Sequence, residues 1–137
     1  MRRITKILSA NDTGETGGHQ AGILVPKDRA ILSFFPPLGS ATKNPRHHIF
    51  FKDETGKYWE FAFIYYNNRL FGGTRNEYRL TRMTPFMRQA GLRAGDELIL
   101  EHHENDGYSV RHARAGGTRI KDGMLRLGGD WKVVRID

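Results

Sequence analysis

Residues 47–66 read His47-His48-Ile49-Phe50-Phe51-Lys52-Asp53-Glu54-Thr55-Gly56-Lys57-Tyr58-Trp59-Glu60-Phe61-Ala62-Phe63-Ile64-Tyr65-Tyr66. Aromatic and β-branched side chains crowd both ends of this stretch, and they fit a pleated, half-buried surface. The four residues between, Asp53-Glu54-Thr55-Gly56, supply the Asp and Gly that tight turns favour. The stretch therefore predicts a β-hairpin with strands over 47–52 and 57–66.

The same signals continue on either side. Residues 4–8 alternate weakly, and 22–25 form a short apolar run. Residues 97–103 and 108–113 are two further strand-like segments joined by Glu104-Asn105-Asp106-Gly107. Residues 131–136 alternate apolar and basic side chains, as an edge or closing strand would. Two short helices interrupt the strands. Pro26 heads one over 27–34, which Pro36-Pro37 stops. Thr84 caps the other, with Pro85 as its first residue and Gly91 as its end. The pattern predicts one mainly β domain over residues 1–137, a closed or half-closed barrel with helices plugging its ends.

The chain has 137 residues, with 22 Lys and Arg against 15 Asp and Glu, a net charge of +7 and no Cys. No apolar run of about 18 residues is present to span a membrane, and the basic start lacks the apolar core of a secretory signal. Without Cys there are no disulfides or thiolate metal sites, which fits a reducing cytoplasm. The positive excess favours a polyanionic partner. Its distribution sharpens that reading: Arg69, Arg75, Arg79, Arg82, Arg88 and Arg93 fall in one stretch whose only acid is Glu77, and none of its cations is Lys. The planar guanidinium fork suits phosphates and guanine edges.

Two polar segments are candidate recognition elements. In residues 9–19, Gly14, Gly17 and Gly18 allow close approach to a groove. Asn11, Asp12, Thr13, Glu15, Thr16 and His19 offer donors and acceptors. The segment can equally be an ordinary connection, and it lacks the Lys-Ser/Thr ending of a phosphate-binding loop. In residues 67–82, an extended chain beyond Gly73 would put Arg75, Glu77, Arg79 and Thr81 on one face, and Asn76, Tyr78, Leu80 and Arg82 on the other. Arg reads guanine and Glu accepts from the cytosine amino group, whereas a purely phosphate-binding surface would avoid Glu77. The competing reading is a surface ion-pair ladder.

Other chemistries find less support. No Glu is followed two residues later by Lys, so the acid plus Glu-x-Lys arrangement that holds Mg²⁺ in many nucleases is missing. Asp96-Glu97 reads as a turn before a strand. Adjacent pairs His47-His48 and His102-His103 point to opposite strand faces and chelate poorly. Trp59, Trp131, Phe34, Phe35, Phe50, Phe51, Phe61 and Phe63 lie in apolar runs and read as core rather than as stacking platforms for single strands. The residues call for no metal and no cofactor.

The two polar segments resemble the N-terminal effector domain of EcoRII-type restriction endonucleases. The resemblance rests on Leu8-Ser9-Ala10-Asn11-Asp12-Thr13-Gly14, on Thr16-Gly17-Gly18-His19-Gln20 with Gly22, and on Tyr65-Tyr66-Asn67 with Arg69, Phe71-Gly72, Thr74-Arg75-Asn76-Glu77, Arg79, Thr81 and Arg82. It implies a DNA-binding pseudobarrel, an open seven-stranded barrel with two short helices, as in plant auxin and abscisic-acid response domains. It also implies two arms, an N-arm near 6–19 and a C-arm near 67–82, gripping the major groove over a CC(A/T)GG-type site. The chain departs from the family at Gly73 and Tyr78, where a member carries lysines, and at Glu15, where it carries a small residue.

The combined expectation is a sequence-specific binder of double-stranded DNA from a restriction-modification system, monomeric on DNA, in a prokaryotic cytoplasm. The nuclease domain would be elsewhere, fused or associated. Base readout falls to Asp12, Thr13, Glu15, Thr16, His19, Arg75, Asn76, Glu77 and Arg79. Phosphate contact falls to Lys6, Arg69, Arg82 and Arg88. The alternatives are a compact metal-dependent nuclease and an RNA or single-strand binder.

Overall fold

The computed structural model describes residues 1–15, 22–115 and 130–135. Eight strands form one curled sheet: β1 (Arg2–Ile7), β2 (Ile23–Val25), β3 (Arg46–Lys52), β4 (Tyr58–Tyr66), β5 (Glu77–Thr81), β6 (Glu97–His103), β7 (Gly107–Ala113) and β8 (Trp131–Arg135). Their spatial order is β2-β5-β4-β3-β7-β6-β1-β8. All neighbours are antiparallel except β3 and β7, which run parallel where Phe51 faces Tyr108. Three short helices accompany them: α1 (Ala10–Thr13), α2 (Arg29–Leu32) and α3 (Thr84–Ala90), with a 3-10 turn at Asn68–Phe71.

The hairpin at 47–66 forms as its residues predict, with Phe51 opposite Trp59 and Ile49 opposite Phe61. Asp53 fastens the turn. Its carboxylate accepts from the Thr55 and Lys57 backbone N–H groups and from the Trp59 indole. Alternation then sorts the aromatics. Phe51, Phe61 and Phe63 point inward and are buried with Phe34, Leu80, Leu98, Leu100 and Trp131. Burying each such side chain contributes about 1.5–3 kcal/mol. Phe50 is the exception to the core assignment: it faces outward from β3 and is 58% exposed.

The sheet's two edge strands meet without pairing. The buried Trp131 of β8 donates its indole N–H to the Leu24 carbonyl of β2 at 3.0 Å, so among the described residues a side-chain bond rather than a ladder closes the half-barrel. At one end α3 inserts Phe86 and Met87, and Phe86 packs edge-on against Trp59.

Several boundaries differ from the sequence expectation. Eight strands are described rather than seven. The helix expected over 27–34 is the single turn α2, because Asp28 rather than Pro26 caps it through the Ala30 N–H. Met83 takes the cap of α3, so Thr84 and Pro85 are its first two residues. A third helix, α1, forms inside the polar 9–19 segment. Ser9 and Asp12 close a reciprocal capping box there, each side chain accepting from the other's backbone N–H.

Candidate nucleic-acid interface

Strand β5 is the spine of the site. Tyr78 and Leu80 face the core, where Tyr78 lies parallel to Tyr65 at 4.3 Å between ring centres and stacks on Phe63. The alternate residues Glu77, Arg79 and Thr81 take the other face, opposite Tyr66, Ile64 and Ala62 of β4; Glu77 and Arg79 are half-buried there and Thr81 is buried. Arg75, just before the strand, joins this row. Its Nε donates to Glu77 Oε1 at 2.5 Å, and Arg79 Nη2 reaches Glu77 Oε2 at 3.3 Å. Arg79 Nη1 also donates to the Gly22 carbonyl at 3.1 Å. The ladder considered from spacing therefore exists in the folded chain.

The platform beneath it was not legible in the spacing. The Arg75 guanidinium lies 3.7 Å from the centre of the Tyr66 ring, which fixes the fork by cation–π contact. Tyr65 donates its hydroxyl to Asn76 Oδ1 at 2.7 Å. Partial burial pushes the Glu77 pKa up. Hydrogen bonds and charge from Arg75 and Arg79 outweigh that and hold it below the usual carboxylate range, so Glu77 is an anion at neutral pH.

The 67–82 segment leaves β4 at Asn67 and returns through Arg75. The Arg69 N–H donates to the Arg75 carbonyl at 2.9 Å, tying outgoing and returning chains together. Gly73 packs against Asn68, whose Cβ would lie 2.9 Å from any Cβ added at Gly73. A lysine there would force the turn apart, which gives the departure at Gly73 a steric reason. Tyr78 likewise belongs to the core stack rather than the outward row. Arg69 is exposed, as are Leu70 and Phe71 beside it.

The N-terminal segment meets β5 at its other end. Strand β2 pairs with β5, with Leu24 opposite Arg79, so the chain emerging from the 9–19 segment runs along the ladder. A cleft of about 280 Å³ is lined by residues 11–14, by Gly22, by Thr81 and Arg82, and by Arg88 of α3. The N-terminal segment thus lies beside β5, the strand within the 67–82 segment. Gly22 makes this approach possible. It has φ +81°, and a Cβ there would sit 2.1 Å from the Leu80 carbonyl oxygen.

Individual residues in the N-terminal segment have structural duties that the sequence did not reveal. Lys6 is buried and paired with Asp12, so its ammonium does not face outward. Asp12 also belongs to the capping box. Thr13 donates its hydroxyl to helical carbonyls, including that of Ala10 at 3.2 Å. Glu15 accepts from the Ala94 N–H at 3.0 Å, bracing the loop after α3. Thr16 and His19 lie outside the described residues. Arg82 is exposed in the left-handed region, φ 65°, and reaches Glu60 at 3.3 Å.

Among the described residues, no group of three or more His, Cys, Asp or Glu is placed to hold a metal ion. No described helix is long and apolar enough to cross a membrane. Asp96 closes the turn before β6 by accepting from the Arg93 and Ala115 N–H groups, which accounts for Asp96-Glu97 structurally.

Comparison with known proteins places these observations. The family model described as "Restriction endonuclease EcoRII, N-terminal" matches residues 2–89. The chain is similar to the type II restriction enzyme EcoRII of Escherichia coli, 42% identical over 81 residues, covering 56% of this chain and 20% of that protein. It is also similar to auxin response factor 10 of Oryza sativa subsp. indica, 30% identical over 125 residues, covering 91% of this chain and 16% of that protein. The chain thus spans at most a fifth of the length of these curated relatives. Among solved structures, the Arabidopsis FUS3-DNA complex matches with a TM-score of 0.62 at 21% identity, covering 81% of this chain and 95% of that one, which establishes the shared fold.

Proposed function

Because the chain belongs to the EcoRII N-terminal family of restriction-endonuclease domains, we propose that it recognises a short G·C-containing site in double-stranded DNA through the outward face of β5. The observation that carries this reading is the Arg75–Glu77–Arg79 row, held along β5 beside the 9–19 segment. The row suits a strand facing a major groove, with each Arg meeting a guanine edge and Glu77 a cytosine amino group. The network is preorganised, because Tyr66 and Gly22 already orient both guanidinium groups.

In this reading Asn76 assists at the base edges, and Arg69, Arg82 and Arg88 hold phosphates on either side. Asp12, Thr13 and Glu15 shape the N-terminal wall, and Lys6 acts through Asp12 rather than on phosphate. Thr16 and His19 are proposed to complete base readout from the N-arm. The target is a CC(A/T)GG-type site, bound by one copy in a prokaryotic cytoplasm. The chain performs no cleavage itself and serves a nuclease domain fused to it or associated with it.

Selection of bound duplexes from a random pool, followed by sequencing, tests the reading. A short motif dominated by G·C pairs is expected. Enrichment of single strands or RNA over duplex, or retention without any motif, would refute it. Incubation with site-bearing plasmid and Mg²⁺ should leave the plasmid intact; cleavage would favour the nuclease alternative.

A further inference from the structure

Asn67, at the root of the C-arm, is fully buried. Its Oδ1 accepts from the Asn44 N–H at 2.7 Å, and its Nδ2 donates to the Thr42 carbonyl at 2.8 Å. These bonds pin the loop before β3 to the root of the C-arm. The Pro45 carbonyl adds a bond from the Tyr65 N–H at 3.0 Å. Asn44 is held in the left-handed region, φ 51°, so the loop has a defined and locally strained shape. It carries Lys43 and leads into Arg46, the first residue of β3; both are exposed, and neither is engaged by an ion pair among the described residues.

The register places Arg46 relative to the ladder. Arg46 lies opposite Ile64, and Ile64 lies opposite Arg79, so Arg46 and Arg79 share the outward face two strands apart. Two strand spacings are about 10 Å. The major groove is roughly 12 Å wide, so a cation at that offset from a strand seated in the groove falls over the bordering phosphates.

We infer that the 42–46 loop is a third DNA-contacting element, in which Lys43 and Arg46 grip a phosphate ridge flanking the recognised base pairs and Asn67 is the positioning residue that presents them. This rests on the proposed duplex-binding role of β5. The loop adds affinity and length of footprint but no base preference, because it holds cations alone at the sheet rim.

Equilibrium binding of the full chain to the selected duplex, measured against salt concentration, tests this. Each phosphate contact contributes about 0.9 to the slope of log affinity on log salt, so Lys43→Gln/Arg46→Gln should lower the slope by about 1.8. Between roughly 50 and 200 mM salt, the double variant should then lose about twelvefold less affinity than the wild type. Base preference should be unchanged, and trimming the flanks of the duplex should weaken the wild type but not the variant. Asn67→Ala should lower the slope by a similar amount with preference intact, a result that general destabilisation would not give; melting curves confirm that the variants are folded. An unchanged slope in the double variant, or altered base preference, overturns the inference. Failure of the wild type to bind any duplex would instead refute the reading of β5.

Discussion

Glu77 decides between a phosphate-binding surface and a reading surface, because an acid between two arginines weakens attraction for a polyanion. Its retention on the outward row is reasonable only if it meets a donor such as the cytosine amino group, or if it serves to hold the arginines. These roles separate experimentally. Glu77→Ala and Arg75→Ala should each cost about 1–3 kcal/mol on the selected site and relax base choice. Arg82→Ala should weaken all duplexes alike. If Arg75→Ala lowers affinity equally for every sequence, it is not a reader. Glu101, remote from this row, illustrates a purely structural acid. Burial pushes its pKa up, but hydrogen bonds from Arg111 and Arg3 outweigh this and lower it to about 2. A carboxylate with a depressed folded pKa contributes stability above its unfolded value of 4.5 and loses it as pH falls toward 2. That contribution is on the order of 3 kcal/mol. The wild type should therefore lose stability steeply over that window, and Glu101→Gln, already less stable at neutral pH, should lose much less. Equal pH dependence in urea melts would contradict the assignment.

Strand β5 was legible as an element because Arg75, Glu77 and Arg79 alternate with Asn76, Tyr78 and Leu80, and the faces fall as that alternation requires. What could not be read was pairing across strands. The Tyr66 platform and the Asn67 pin depend on register between distant segments, which a single strand's pattern does not contain. α1 was missed although Ser9 and Asp12 have capping-box spacing, because a four-residue helix has too few positions to show periodicity. Lys6 misled for a related reason: nothing local marks an exposed cation off from one paired with an acid six residues later. Gly22 carries the contact between β2 and β5, so Gly22→Ala should place a methyl against the Leu80 carbonyl in a left-handed conformation. A destabilisation of about 2–4 kcal/mol is expected by thermal or urea melting. A neutral substitution would mean that the close approach is not required.

At the scale of the whole molecule, the sheet curls until its edges nearly meet, and Trp131 spans the remaining gap. The chain's apolar runs and turn residues gave the mainly β class, since aromatics at alternate positions must bury one face against something. They did not give closure by a single indole, which is a contact between β8 and β2 across most of the sequence. Trp131→Phe keeps most of the apolar volume but leaves the Leu24 carbonyl without its donor, so a cost of about 1–3 kcal/mol is expected. Hydrogen exchange should quicken first in β2 and β8; uniform quickening across the sheet would contradict the seam.

The central claim, that DNA lies along the outward face of β5 beside the 9–19 segment, is tested most directly by NMR titration of labelled protein with the selected duplex. The account predicts that the Arg75 and Arg79 Nε–H resonances and the backbone of 11–15 and 69–82 shift most, with β6 and β7 little affected. Shifts concentrated on β6 and β7, with the two guanidinium resonances unmoved, would contradict it.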